Sequence, residues 1–159
     1  MQLNDWEKRL AAEANRLKDR TNTAVSNGNR NESIRRKLTR DFLTAIGPIL
    51  KESVTKFNDL SANKIEFMAL AKDRRGDQYC GAAFNSREIR FVDSGRGFIR
   101  IDMVKNDSVN EIAFILARIS RSGEFITWDE KNLLGFGNRL EPVTLKHVVR
   151  KYITLLVTS

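Results

Sequence analysis

Cysteine and histidine, on which most nucleophilic and metal chemistry is built, occur once each in this chain, as Cys80 and His147. A single cysteine excludes an intrachain disulfide and any cysteine-rich metal site. Cys80 reads as a small buried hydrophobe. His147 falls on a C-terminal helical pattern with Val143, Arg150 and Thr154, away from the apolar stripe of that pattern, which marks a solvated side chain. A Cys–His pair, a Ser–His–acid triad or a histidine zinc site would have to recruit this one imidazole. Nothing in the sequence sets Cys80 or a serine beside it. We therefore assign no catalytic residue, no cofactor and no metal ligand, and expect a protein that is not an enzyme.

Long apolar runs are also missing. None approaches the ~20 residues needed to span a bilayer, and the N-terminal stretch is charged, without the apolar segment of a signal peptide. A soluble, cytoplasmic chain is expected. The glycines form no phosphate loop: Gly95-Arg96-Gly97 lacks the strand-to-helix context of a dinucleotide site, and Gly135-Phe136-Gly137 lacks the third glycine. No internal repeat or low-complexity segment occurs.

Charge is plentiful instead. The net charge is +8 over 159 residues, divided as +4 over residues 1–60 (12 basic, 8 acidic), +2 over 61–128 (11 and 9) and +2 over 129–159 (5 and 3). The excess is mild everywhere and favours anionic partners without specifying a fold.

The residues from 64 to 129 organise the chain. Runs of alternating or β-forming residues at 65–71, 78–84, 87–93 and 98–104 are separated by Asp73-Arg74-Arg75-Gly76-Asp77, Asn85-Ser86 and Ser94-Gly95-Arg96-Gly97. Turn chemistry at this spacing predicts antiparallel hairpins. Pairing Phe91 with Ile99 and Ile89 with Ile101 gathers the purely apolar residues on one face. The other face then carries Glu88, Arg90, Arg100 and Asp102 as a checkerboard with diagonal ion pairs, solvated, with Val92 and Phe98 as an apolar spot. Glu88 and Asp102 together resemble a shared-proton or cation site, but two arginines among them predict simple neutralisation. Residues 111–119 fit a strand buried on both faces, and also a helix capped by Ser108 and Glu111. The β-branched content and the turn Ser120-Arg121-Ser122-Gly123 before 124–128 favour the strand.

Helical patterns flank this block. Residues 4–20 carry a narrow apolar stripe, Leu3, Trp6, Leu10 and Leu17 with Ala14 beside them, after an Asn4/Glu7 capping box. The polar stretch 21–31, with Asn27-Gly28-Asn29, reads as a flexible linker. Residues 33–60 read as a long helix with Ile34, Leu38, Phe42, Ile46, Ile49, Leu50, Phe57 and Leu60 on one face and a kink or break at Gly47-Pro48. The small residues Cys80 to Ala83 predict a close helix crossing. Residues 129–140 read as a loop, and 141–158 as the last helix, with Pro142 in its first turn and Leu145, Val148, Val149, Tyr152, Leu155 and Leu156 facing inward.

The expectation is an α+β fold: a meander-like antiparallel sheet of about five to six strands, packed by a long kinked N-terminal helix and a C-terminal helix. Residues 1–31 form a semi-detached helix and linker, and 32–159 a single domain. Three functional readings follow. The first is an interaction module offering Leu3, Trp6, Leu10 and Leu17 to a protein partner or a second copy. The alternative is sequence-nonspecific nucleic-acid binding through Arg30, Arg35, Arg36, Lys37 and Arg40, extended by Arg74 and Arg75; cations at a helix start oppose the macrodipole, which hints at a task. The third is an apolar small-ligand pocket between the sheet and the last helix.

Overall fold

Period-two alternation between tight turns builds the middle of this chain into a sheet in the computed structural model, which describes residues 2–134 and 139–159, with the side chains of 2–6 and 13–30 outside that description. Helix α1 spans Gln2–Leu60 and is followed by strands β1 Glu66–Lys72, β2 Gln78–Phe84, β3 Arg87–Asp93, β4 Phe98–Lys105, β5 Ser108–Ile119, β6 Phe125–Asn132 and β7 Leu140–Val143, then helix α2 Leu145–Thr158. The strands pair antiparallel in chain order in one sheet. The α+β meander is thus as expected, with seven strands rather than five or six.

Both helices contact the face that carries Cys80, Ala82, Ile89, Phe91, Ile99, Ile101, Ala113 and Ile115, all essentially buried. Helix α1 crosses it diagonally. Phe42 meets Trp128 of β6 edge-to-face at 4.9 Å, and Phe57 meets Phe84 of β2 at 6.0 Å. Between them Ile46 and Leu50 are fully enclosed. Helix α2 is capped by Thr144, whose side chain accepts from the His147 amide, and buries Val148, Val149, Tyr152 and Leu156. Each such side chain contributes about 1.5–3 kcal/mol through the apolar area it removes from water.

One buried polar group needs a partner on this face. Glu130 of β6 accepts from the Tyr152 hydroxyl at 2.6 Å and from Lys151 Nζ at 2.5 Å. Burial, with the carboxylate beside it, pushes the tyrosine's pKa well above its usual value. The pairing ties α2 to β6.

Several expectations are corrected. Residues 21–31 are not a linker: α1 continues through them. Asparagine, threonine and even Gly28 each cost a helix at most about 1 kcal/mol, less than ending one helix and nucleating another. The predicted boundaries at Asn4 and Ser33 both fall inside α1, and no break interrupts it at Gly47-Pro48. Pro48 and Thr44, whose carbonyl loses its donor, are both exposed, so water can serve that carbonyl while Ile46 and Leu50 hold the other side to the sheet.

Residues 129–140 are not all loop, since β6 runs to Asn132 and β7 follows. Pro142 sits in β7, not in a helix, opposite Asp129. An edge strand tolerates proline because one side of it needs no donors. Residues 108–111 begin β5 and cap nothing.

The β3–β4 register is shifted by two residues: Phe91 pairs with Ile101, Ile89 with Met103 and Asp93 with Ile99. A shift of two keeps every side chain on its predicted face. It replaces the expected Arg90–Arg100 opposition with Arg90 directly opposite Asp102. The turn spends both Gly95 and Gly97 at positive φ, 78° and 87°, which lengthens the connection.

The small residues of β2 divide their work. Cys80 and Ala82 lie under the helices, and burial pushes the Cys80 thiol up to about 11. Gly81 faces the opposite way, where an added Cβ would stand 1.9 Å from the backbone oxygen of Ile89. Gly81→Ala should therefore force β2 and β3 apart and cost about 3 kcal/mol, seen as a lowered urea midpoint. An unchanged midpoint would mean that the two strands are not held this closely.

Candidate nucleic-acid interface

An antiparallel meander sends every second turn to the same end of its sheet. The β1–β2 turn (73–77), the β3–β4 turn (94–97) and the β5–β6 turn (120–124) therefore share one end. They carry Arg74 and Arg75, Arg96, and Arg121 respectively, all exposed. With strands about 4.8 Å apart, alternate turns stand roughly 10 Å apart. None of the four arginines forms a salt bridge with a described residue.

Two acids at these turns are engaged locally. Asp73 Oδ1 accepts from the amides of Arg75 and Asp77 at 2.8 and 2.9 Å, and Asp93 Oδ1 from the Gly95 amide at 2.8 Å. They shape the turns that hold the arginines out.

Helix α1 meets the sheet at this same end. A Cβ added at Gly97 would lie 3.4 Å from Arg35 Cβ and 3.9 Å from Arg36 Cγ. The β3–β4 turn is thus seated on Arg35 and Arg36, and these converge with Arg96. Because α1 begins at Gln2, the basic cluster lies in mid-helix and not at a helix start as expected, so the macrodipole does not bear on it. Arg36 bonds Glu32 at 2.6 Å, both half exposed. Arg40 is exposed one turn further on. Lys37 is exposed too, and at 100° per residue it lies on the side of α1 opposite the buried Thr39, Phe42 and Ile46. The side chain of Arg30 lies outside the described residues.

The basic cluster predicted as one group is therefore divided. Arg35 and Arg36 face the turn, Lys37 faces away, and Arg74 and Arg75 stand two strands along the same end. Sequence reading missed Arg96, Arg121 and Arg118. The available signal was the alternation of turns: any arginine in an odd-numbered hairpin of a meander shares an end with the others.

Beside Arg35 opens a cleft of about 660 Å³, bordered by Arg96, Phe98, Leu116, Arg118 and Ile119 among others. Arg118 holds Asp129 through two bonds, 2.9 and 3.1 Å. Phe98 packs edge-to-face on Phe114 at 5.2 Å.

On the helix-free face Arg90 and Arg100 pair along their own strands, with Glu88 and Asp102, while Arg118 of β5 reaches across to Asp129 of β6 and Arg100 lies 3.8 Å from Glu111 of β5. Arg90 bonds Glu88 at 2.7 Å and lies over the Tyr79 ring at 4.8 Å. Arg100 Nε bonds both oxygens of Asp102, at 2.9 and 3.1 Å. The face is less solvated than predicted, for Val92 and Asp102 are buried. A second cleft of about 880 Å³ runs over it from Arg74 and Arg75 past Tyr79, Arg90 and Arg100.

Of the apolar stripe at 3–17, Leu10 is exposed, as are all residues from 7 to 12. Leu3, Trp6 and Leu17 lie outside the described side chains, and Gly135-Phe136-Gly137 outside the described residues. The interface between the sheet and α2 is occupied by Val148, Val149, Tyr152 and Leu156 packed into the core. His147 is exposed. Among the described residues no helix is long and apolar enough to cross a membrane. Neither family models, nor curated proteins, nor solved structures give a match to this chain.

Asp102 gives a pH test of this face. Burial, the largest influence, holds its carboxyl above the ordinary 3.8 despite the opposing bond from Arg100. The folded state then binds this proton more tightly than the unfolded chain. The contribution to stability is absent above the folded value and grows as pH falls through it to below 3.8. Wild type should accordingly gain stability on Asp102→Asn across that acid range, read as the difference between urea midpoints. A difference that stays constant with pH would place Asp102 in water.

Proposed function

We propose that this chain binds the phosphate backbone of nucleic acid, without sequence preference, at the arginine-bearing end of its sheet. The observation that carries this reading is the convergence of Arg74, Arg75, Arg96 and Arg121, from three separate turns, with Arg35 and Arg36 of α1. Guanidinium groups suit phosphate because their forked donors match its oxygens. Cations spread over rigid turns supply affinity without reading bases.

Binding to a labelled single-stranded oligonucleotide should fall with salt, with a slope of log K against log salt of about −3 to −4 if four to six phosphates are contacted. Changing Arg74, Arg75, Arg96 and Arg121 together to alanine should flatten that slope by about 3 units and weaken binding at least tenfold at fixed salt. An unchanged slope in that variant removes this surface. Arginine-dependent binding to anionic phospholipid vesicles, with none to oligonucleotides, would assign it to membranes instead.

A second reading, self-association through α1, is favoured by a different observation. The helix is continuous from Gln2, about 88 Å long at 1.5 Å per residue. Its first buried described side chain is Thr39. Leu10, in the predicted seam, is exposed in the single chain, and a second copy of the same helix is the partner that such a stripe matches. Sedimentation equilibrium should show a dimer that Leu10→Lys converts to monomer. A monomer at all concentrations for the unaltered chain would exclude this version.

A further inference from the structure

The cleft beside Arg35 combines cations free of salt bridges among the described residues with an apolar wall. We infer that this cleft takes an unpaired nucleotide, so that the preferred ligand is single-stranded nucleic acid rather than a duplex. This rests on the backbone-binding reading and deepens it.

Three features support the inference. The first is a combination that phosphate binding alone does not need. Arg35 and Arg96 stand at the rim without a salt bridge to a described residue, while Phe98, Leu116 and Ile119 give the same cleft an apolar wall. A duplex keeps its bases stacked inside and offers such a site only its phosphates. An unpaired nucleotide offers a phosphate and a free π-face together, and an aromatic side chain beside cations is how single strands are held.

The second is size. A cleft of about 660 Å³ falls within the roughly 300–1,000 Å³ range of sites for small organic ligands. The third is rigidity. Phe98 is braced edge-to-face by Phe114, and Arg118 is held by both oxygens of Asp129. These side chains have little rotamer freedom left to lose on binding.

The test compares a fluorescein-labelled single-stranded 12-mer with a duplex of the same length by anisotropy, at one fixed salt concentration. The single strand should bind at least tenfold more tightly. Phe98→Ala should weaken the single strand about tenfold, as loss of one stacked base does, and leave the duplex within twofold. Phe98→Leu keeps apolar volume but removes the π-face, and should reproduce the loss with an unchanged melting temperature. It separates stacking from any unfolding caused by the alanine.

Equal binding of both ligands, or Phe98 variants that affect neither or both alike, would overturn the nucleotide slot. If the arginine variant of the preceding section still flattens the salt slope, backbone binding survives that outcome. If it does not, both fall.

Discussion

The seat of α1 across one face of the sheet is the constraint from which the other features follow. Phe42, Ile46, Leu50 and Val54 are buried against strands that contribute Ile89, Phe91, Ile99, Ile101 and Ile115 to the same cluster. A diagonal crossing that meets Trp128 of β6 and Phe84 of β2 brings α1 into contact with six of the seven strands, β1 to β6. Because α1 enters beside Gly97, its basic turn must lie next to the arginine-bearing turns. Its direction therefore sets the charge distribution as well as the core.

The two sheet faces solve different electrostatic problems. Beneath the helices charge is nearly excluded, and Glu130 is kept there by Tyr152 and Lys151 of α2. A carboxylate stripped of such partners would be costly to bury. On the other face every buried carboxylate has a guanidinium from its own or the adjoining strand: Arg100 on Asp102 and Arg118 on Asp129. This leaves the arginines of the turns, which form no salt bridge with a described residue, as the cations most available to a ligand.

Much of this fold was legible in the sequence. Gln78–Phe84 and Arg87–Asp93 are bounded as predicted, because two-residue turns between alternating runs leave few choices. The strand reading of residues 111–119 holds, but with one packed side, Ala113, Ile115 and Ala117, while Phe114 and Leu116 on the other are only half-buried, not buried on both faces as expected. The inward stripe of α2 is also as predicted. What was misread has a common cause. The stretch 21–31, Pro48 and Pro142 were judged by local propensity, worth about 1 kcal/mol or less per ordinary residue and about 3 kcal/mol for a proline inside a helix, whereas a packed helix and a paired edge strand supply more. The register of β3 and β4 depended on how many residues the turn consumed, and that is decided where Gly97 meets Arg35.

By itself the sequence determined which residues alternate, where the tight turns fall and which faces are apolar, since these depend on neighbours two to four positions apart. Only tertiary structure decided that Arg35, Arg74, Arg75, Arg96 and Arg121 would share one end, and that Phe98 would stand beside them. Those positions are separated by up to 86 residues in sequence, and no local preference acts over that range. Strand order and the crossing of α1 bring them together, and both are set by the burial of one common core.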